Sequence, residues 1–330
     1  MSTRRGARSL TALTVLTAIT TLASLAGPVL AQNYPTRPVR IVTAFPPGGP
    51  TDLLARPVGA KLQEALGQPF IVDYKPGGNA VIGTDFVAKS APDGYTLLLI
   101  PPSHTTNPST QKSLPYDTLK DFTGVSGVAN GLVVLITHPK LAVNSVKDII
   151  AMAKASPGKL NYASSGTGGS LHLGGELFKM LAGIDMVHVA YKGAAPALQD
   201  VVAGTADLMF ISVAPAVAQI KSGKVRLMAV GSLKRSATYP DIPTVAESGL
   251  AKFEVGSDYG LIAPGATPRP VITRLNGAME KLLALPDIKQ IFNNIGVEPW
   301  YSTPEAHNTW VRDEVNKWSA VAKAIKYVPE

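Results

Sequence analysis

Two short stretches of this chain combine glycines, hydroxyls and helix-starting residues in a way that suits a negatively charged ligand. The first is Phe45-Pro46-Pro47-Gly48-Gly49-Pro50-Thr51-Asp52, between the apolar, β-prone residues 40–44 and the apolar Leu53, Leu54 and Ala55. Its prolines and glycines must end a strand, and Thr51 and Asp52 are types that cap a helix. The first N–H groups of a helix lack intrahelical acceptors, and together with the dipole they favour a carboxylate or phosphate. A strand-to-helix turn that is rich in Gly and Pro for geometry alone accounts for the same residues. Pro57 falls about a turn into the helix and is expected to kink it or delay its start. The second stretch is Ser164-Ser165-Gly166-Thr167-Gly168-Gly169-Ser170, followed by Leu173, Leu177, Phe178 and Leu181 at helical spacing up to Gly183. Leu171 stands where a dinucleotide fingerprint needs its third glycine, and no P-loop lysine follows, so a polar anion nest remains.

Other candidates are weaker one by one. Ser103 and His104 lie in the polar run 101–108, expected as a loop after a buried strand, where His104 reads equally as a surface histidine or a ligand contact. Tyr191-Lys192-Gly193 forms a third candidate loop. His172 and Glu176 stand four apart, as metal ligands on a helix do, but no second histidine completes a zinc-protease pattern, so neither metal nor cofactor is expected. There is no Gly-x-Ser-x-Gly elbow, and the 5 His show no triad spacing. An α/β hydrolase-type enzyme therefore stands as the minor alternative, with a serine of these loops such as Ser165 or Ser170 as its nucleophile.

The elements that must position these residues follow from the pattern. Apolar runs at 70–74 and 95–100 with a helix at about 80–90 give β-α-β-α-β and a mostly parallel sheet. The unit recurs at 132–137, 160–163, 185–190, 207–211 and 226–230, and the tail from Pro268 reads as helices only. Two α/β lobes joined by two crossing strands result, and a tail without a sheet packs most economically on the first. Loops at the carboxyl ends of parallel strands converge on a crevice, which would gather Gly48, Gly49, Ser103 and His104.

Composition limits the partners. The 330 residues carry a net charge of +8, and Arg4, Arg5 and Arg8 precede the apolar run 10–25 of a secretory signal peptide with cleavage expected after Ala31. Its removal leaves +5, spread without a basic block, and aromatics at 6% argue against a nucleic-acid surface. An exported chain with no Cys suits a bacterial periplasm.

The ordered set Tyr34-Pro35-Thr36-Arg37-Pro38, residues 45–52, Pro92-Asp93-Gly94-Tyr95-Thr96-Leu97-Leu98, Leu114-Pro115-Tyr116-Asp117, Asp121-Phe122, residues 164–176, Tyr191-Lys192-Gly193 and Ala263-Pro264 resembles the Bug-type solute receptors of tripartite tricarboxylate transporters. The resemblance covers nearly all of the chain after residue 31. It implies a two-lobed, periplasmic-binding-protein-like (type II) α/β fold with a cleft between Rossmann-like lobes. Lobe 1 would take residues 32–132 and 254–330, and lobe 2 residues 133–253. It also implies a periplasmic, monomeric receptor that closes on a small organic acid and delivers it to a membrane permease. Carried over, Phe45, Gly48, Gly49 and Asp52 match the first-lobe loop, Ser164, Thr167, Gly168 and Ser170 the second-lobe loop, and Tyr191 with Lys192 a nearby edge. The chain departs from the family at Pro76-Gly77-Gly78-Asn79-Ala80 and at Asp258, where the family often has Trp. A carboxylate at the cleft mouth would disfavour a second negative charge, so monocarboxylates, aromatic acids and acidic amino acids join dicarboxylates as ligands. A sensor signalling to a membrane partner is the alternative to transport.

Overall fold

The structure is a computed structural model and describes residues 34–191 and 193–329. The expected signal peptide and Lys192 lie outside the described residues. The first sheet contains β1 (Val39–Thr43), β2 (Phe70–Tyr74), β3 (Thr96–Ile100), β4 (Phe122–Gly131), β10 (Ser257–Pro264) and β11 (Val297–Pro299), ordered β11-β4-β10-β3-β1-β2. The second contains β5 (Val133–Thr137), β6 (Asn161–Ser164), β7 (Val187–Ala190), β8 (Leu208–Ser212) and β9 (Arg226–Val230), ordered β7-β6-β8-β5-β9.

Strand direction decides where the loops go. β1 pairs in parallel with β2 and β3, and β10 runs antiparallel to both β3 and β4. β4 therefore ends at Gly131 on the edge where β1, β2 and β3 end. In the second sheet β6 is parallel to β7 and β8, while β5 is antiparallel to β8 with Val133 opposite Ser212. The carboxyl ends of β6, β7 and β8 thus lie where β5 begins. Leu132 alone separates β4 from β5, so both sets of carboxyl ends open on one gap.

Helices cover both faces of each sheet. α1 (Pro50–Leu66), α8 (Arg269–Ala284) and α9 (Pro286–Asn294) pack with Ile41, Leu97, Leu99 and Leu261 on one face of the first sheet. Val42, Leu98, Ile100 and Ile262 alternate to the other face, under α2 (Val81–Ala88) and α10 (Pro304–Ala324). α4 (Val146–Ala155) and α5 (Ser170–Ala182) cover one face of the second sheet, and α6 (Ala194–Ala203) and α7 (Val213–Lys221) the other.

Four local readings change. α1 begins at Pro50 with Gly49 as its N-cap and runs on through Pro57, so Thr51 and Asp52 are first-turn residues instead of caps. The stretch expected as a polar loop after β3 is helix α3 (Ser103–Thr110), with Pro108 inside it. Its polar side chains from Ser103 to Asn107 are buried, because α3 is clamped between the second loop of the sheet and α10: Asn107 exchanges bonds with Asn79, and Ser109 meets the Ser319 hydroxyl at 2.8 Å. The tail is not purely helical, since β11 extends the first sheet. Nor does α10 pack on the first lobe alone: Val311 and Val315 join the first-sheet core, whereas Trp318 and Val321 join Leu173, Phe178 and Phe253 under the second sheet.

Candidate functional site

The two glycine loops turn out to be built alike. Each runs from the carboxyl end of a parallel strand into a helix whose N-cap is a glycine, Gly49 for α1 and Gly169 for α5. The preceding glycine has a left-handed backbone, φ +86° at Gly48 and +77° at Gly168, which a side chain would strain. Its N–H donates to the third helical residue: Gly48 to Asp52 Oδ2 at 2.8 Å, and Gly168 to His172 Nδ1 at 3.1 Å.

These bonds revise the donor inventory. The amides of Gly48 and Gly168 are already spent inside their own turns. The open donors are the neighbouring ones: among the described residues the N–H groups of Gly49 and Thr51 in the first loop, and of Ser170, Leu171 and His172 in the second, meet no acceptor. The Thr51 hydroxyl is buried without a partner as well. They supply no full charge, and with the helix dipoles they favour an anion weakly enough for reversible binding.

Asp52 organises the first loop without facing a ligand. It is 3% exposed and accepts the Tyr74 hydroxyl at 2.6 Å and Arg56 Nε at 2.8 Å besides the Gly48 amide. Burial disfavours its charge, but the bonds from Tyr74, Gly48 and Arg56 outweigh that and hold its carboxyl below the usual range.

The remaining candidates sort by partner. Ser164 is fully buried, and its hydroxyl sits 2.7 Å from His188 Nε2 and 3.0 Å from the Gly166 carbonyl, so it shapes the loop from beneath. Thr167 is exposed and Ser170 half-buried at the loop's surface. The Tyr191 hydroxyl donates to Asp200 at 2.6 Å, a bond that pushes it up to about 12. Phe45 is half-buried against the core around Val42 and Ala44. Ser103 keeps a buried hydroxyl without a partner in the first turn of α3.

Two candidates stand apart from these loops. His104 is 1% exposed, edge-on to Phe122 at 5.4 Å, and its imidazole is pushed down to about 4 by burial. It lines a small cavity with Thr118, Ile262, Val311 and Arg312 instead of the gap. Asp258 was expected at the cleft mouth. Its carboxylate faces Glu314 and Lys317 of α10, in a cavity that also takes Asn130, Arg235 and Glu254 but none of the other candidates, and burial pushes it up to about 7.

The second loop comes close to α3 and to the segment after α10. A Cβ placed on Gly168 would lie 3.3 Å from Thr110 Cβ at the end of α3 and 2.8 Å from the Tyr327 hydroxyl after α10. Sequence reasoning overlooked Arg56, Tyr74, His172 and His188 as parts of this arrangement. A readable signal existed: Gly-Gly-Pro-Thr-Asp and Gly-Gly-Ser-Leu-His share one spacing, two glycines and then an acceptor at the third helical position. Among the described residues no group of three or more His, Asp or Glu could hold a metal ion, and no helix is long and apolar enough to cross a membrane.

Known proteins share this architecture. The family model described as "Tripartite tricarboxylate transporter family receptor" matches residues 54–327. Protein BugT of Bordetella pertussis is 37% identical over 303 residues, covering 90% of this chain and 92% of BugT. The periplasmic binding protein BugD is similar in structure with a TM-score of 0.74 at 34% identity, over 90% of this chain and 100% of BugD. An R. palustris protein solved with adipate gives 0.77 at 34% identity, over 90% of this chain and 100% of its own. With a receptor-family model matching most of its length and a relative 37% identical over 90% of it, this chain belongs to the tripartite tricarboxylate transporter receptor family, whose members are receptors and not enzymes.

Proposed function

We propose that this chain is a periplasmic receptor that binds a small organic carboxylate between lobes 32–132 with 254–330 and 133–253, and delivers it unchanged to a membrane permease. The observation that carries the reading is the pair of helix N-termini, α1 and α5, whose unpartnered first-turn N–H groups belong to loops at the carboxyl ends of strands that open on one gap. Gly49, Thr51, Ser170 and Leu171 grip the anion through backbone N–H groups, with the Thr167 and Ser170 hydroxyls beside them, while Phe45 and Tyr191 edge the site. The adipate-bound relative supports the carboxylate class. Asp258 lines a cavity with none of the loop residues, and the proposed ligand class keeps dicarboxylates beside monocarboxylates, aromatic acids and acidic amino acids.

A thermal-shift panel of mono-, di- and tricarboxylates, aromatic acids and acidic amino acids on the chain from Gln32 tests the ligand class. An acid at 100 times its Kd stabilises by about 2.7 kcal/mol, which raises the melting temperature by several degrees. Silence across the panel from a folded, ligand-free protein would reject the carboxylate reading. Deleting the gene and following uptake of the acid that scores separates transport from sensing.

A further inference from the structure

We propose that His172, seated on His188, is a positioning residue: its neutral imidazole fixes the second-lobe loop by accepting the Gly168 N–H, and ligand binding depends on that bond. The inference rests on the carboxylate-receptor reading for its consequence in binding, but the loop geometry stands without it.

The geometry leaves little freedom. Gly168 N–H points at His172 Nδ1 at 3.1 Å, so that nitrogen must be bare and the proton must sit on Nε2. The His172 ring stacks on His188 at 4.0 Å and 27°, and His188 stacks in turn on Tyr162 at 4.9 Å. His188 Nε2 meets the Ser164 hydroxyl, which also contacts the Gly166 carbonyl and accepts the Gly166 N–H at 3.2 Å. Two stacked imidazoles therefore pin the loop at Ser164, Gly166 and Gly168, directly before the open donors at Ser170 and Leu171.

The charged and titratable groups around the stack are Glu176 and Lys179 on α5, His188 on β7, Tyr162 on β6 and Tyr327 after α10. Glu176 is already engaged, accepting Tyr162 at 2.5 Å and Lys179 at 3.0 Å. Burial pushes His172 down to about 4, helped by His188 and Lys179 and opposed by Glu176. Protonation of Nδ1 would set two donors head to head, and the Gly168 amide would turn out of its site. In the first loop a carboxylate, Asp52, fills the same place, and its hydrogen bonds keep it an ionised acceptor below the usual carboxyl range.

Two variants test this, using the Gly168 amide resonance in glycine-labelled protein and calorimetric titration with adipate. In His172→Asn, Oδ1 takes the position of Nδ1 and accepts the amide but binds no proton. In His172→Leu the acceptor is gone while the volume is nearly kept. The expected result is that His172→Asn keeps the Gly168 resonance and adipate affinity within about threefold at pH 7 and lacks the shift of the Gly168 resonance expected of the parent protein towards pH 4. His172→Leu moves the resonance and weakens adipate tenfold or more. Equal losses in both variants would make His172 a packing residue only, and unaltered binding by a folded His172→Leu would overturn the proposal. Identical pH profiles for the parent protein and His172→Asn would overturn it too. A protein that ignores adipate but shows the expected Gly168 pattern would count against adipate as its ligand and for the loop assignment.

Discussion

Asp52 shows how a residue can matter to a binding loop without touching what it binds. Its three donors, Gly48, Arg56 and Tyr74, come from the turn, the next helical turn and the neighbouring strand, so one carboxylate ties the loop to both α1 and β2. Asp52→Ala should leave the Gly48 N–H and the Tyr74 hydroxyl without their acceptor and cost about 2 kcal/mol, a fall of roughly 5 °C in thermal melts. Asp52→Asn keeps an acceptor and should lose less. The carboxyl is held below its ordinary value in the folded state, so its charge stabilises the fold at neutral pH. That contribution declines as pH falls below about 4, the unfolded carboxyl's value, and is gone once the folded group is protonated. Melts of Asp52→Asn between pH 7 and 3 should therefore show a shallower acid decline than the parent protein. A parallel decline would remove Asp52 from the account. That Asp52 served the loop was visible in the sequence, but whether it faced the ligand or the turn was not, since an N-cap and a third helical residue differ only by where the helix begins.

At the scale of elements, the repeated β-α units and the two glycine loops were legible because periodicity and turn chemistry are local properties. The elements that were misread depend on contacts far along the chain. Helix α3 has a loop's composition, Ser-His-Thr-Thr-Asn-Pro-Ser-Thr, and becomes helical because Asn79 and α10 satisfy and bury its polar side chains. β4 carries Gly124, Gly127 and Gly131, which weaken its local signal, yet a side chain at Gly127 would lie 2.6 Å from the Trp300 ring and could not fit. A helix was expected where α10 lies, but not that its apolar residues divide between two cores at Val315 and Trp318. This division predicts a polarised effect. Trp318→Ala should cost about 3–5 kcal/mol by opening a cavity in the second core. In hydrogen exchange, amides of α5 and β5 should speed up well before those of β1 and β3. Uniform acceleration across both sheets would mean that α10 serves a single core.

For the whole molecule, the two sheets are joined in three ways: through Leu132 between β4 and β5, through residues 255–257 leading into β10, and through α10. Such a connection permits the lobes to rotate about the crossing but resists their separation, so on the proposed reading closure is a movement about this crossing that brings the first turns of α1 and α5 towards a common ligand. On the proposed reading neither loop holds an anion firmly alone, because the Gly48 and Gly168 amides are committed to Asp52 and His172 and the donors left among the described loop residues are uncharged N–H and hydroxyl groups. Binding should then require both lobes at once. Hydrogen exchange in the presence of an acid that raises the melting temperature should slow amides at residues 49–53 and at 169–173 together, by about tenfold or more when the acid stands at 100 times its Kd. Slowing at Leu132 and at 255–257 should accompany it as the crossing stiffens. Protection confined to one loop would mean that a single lobe carries the site, and the convergence of strand ends on one gap would then have no part in binding.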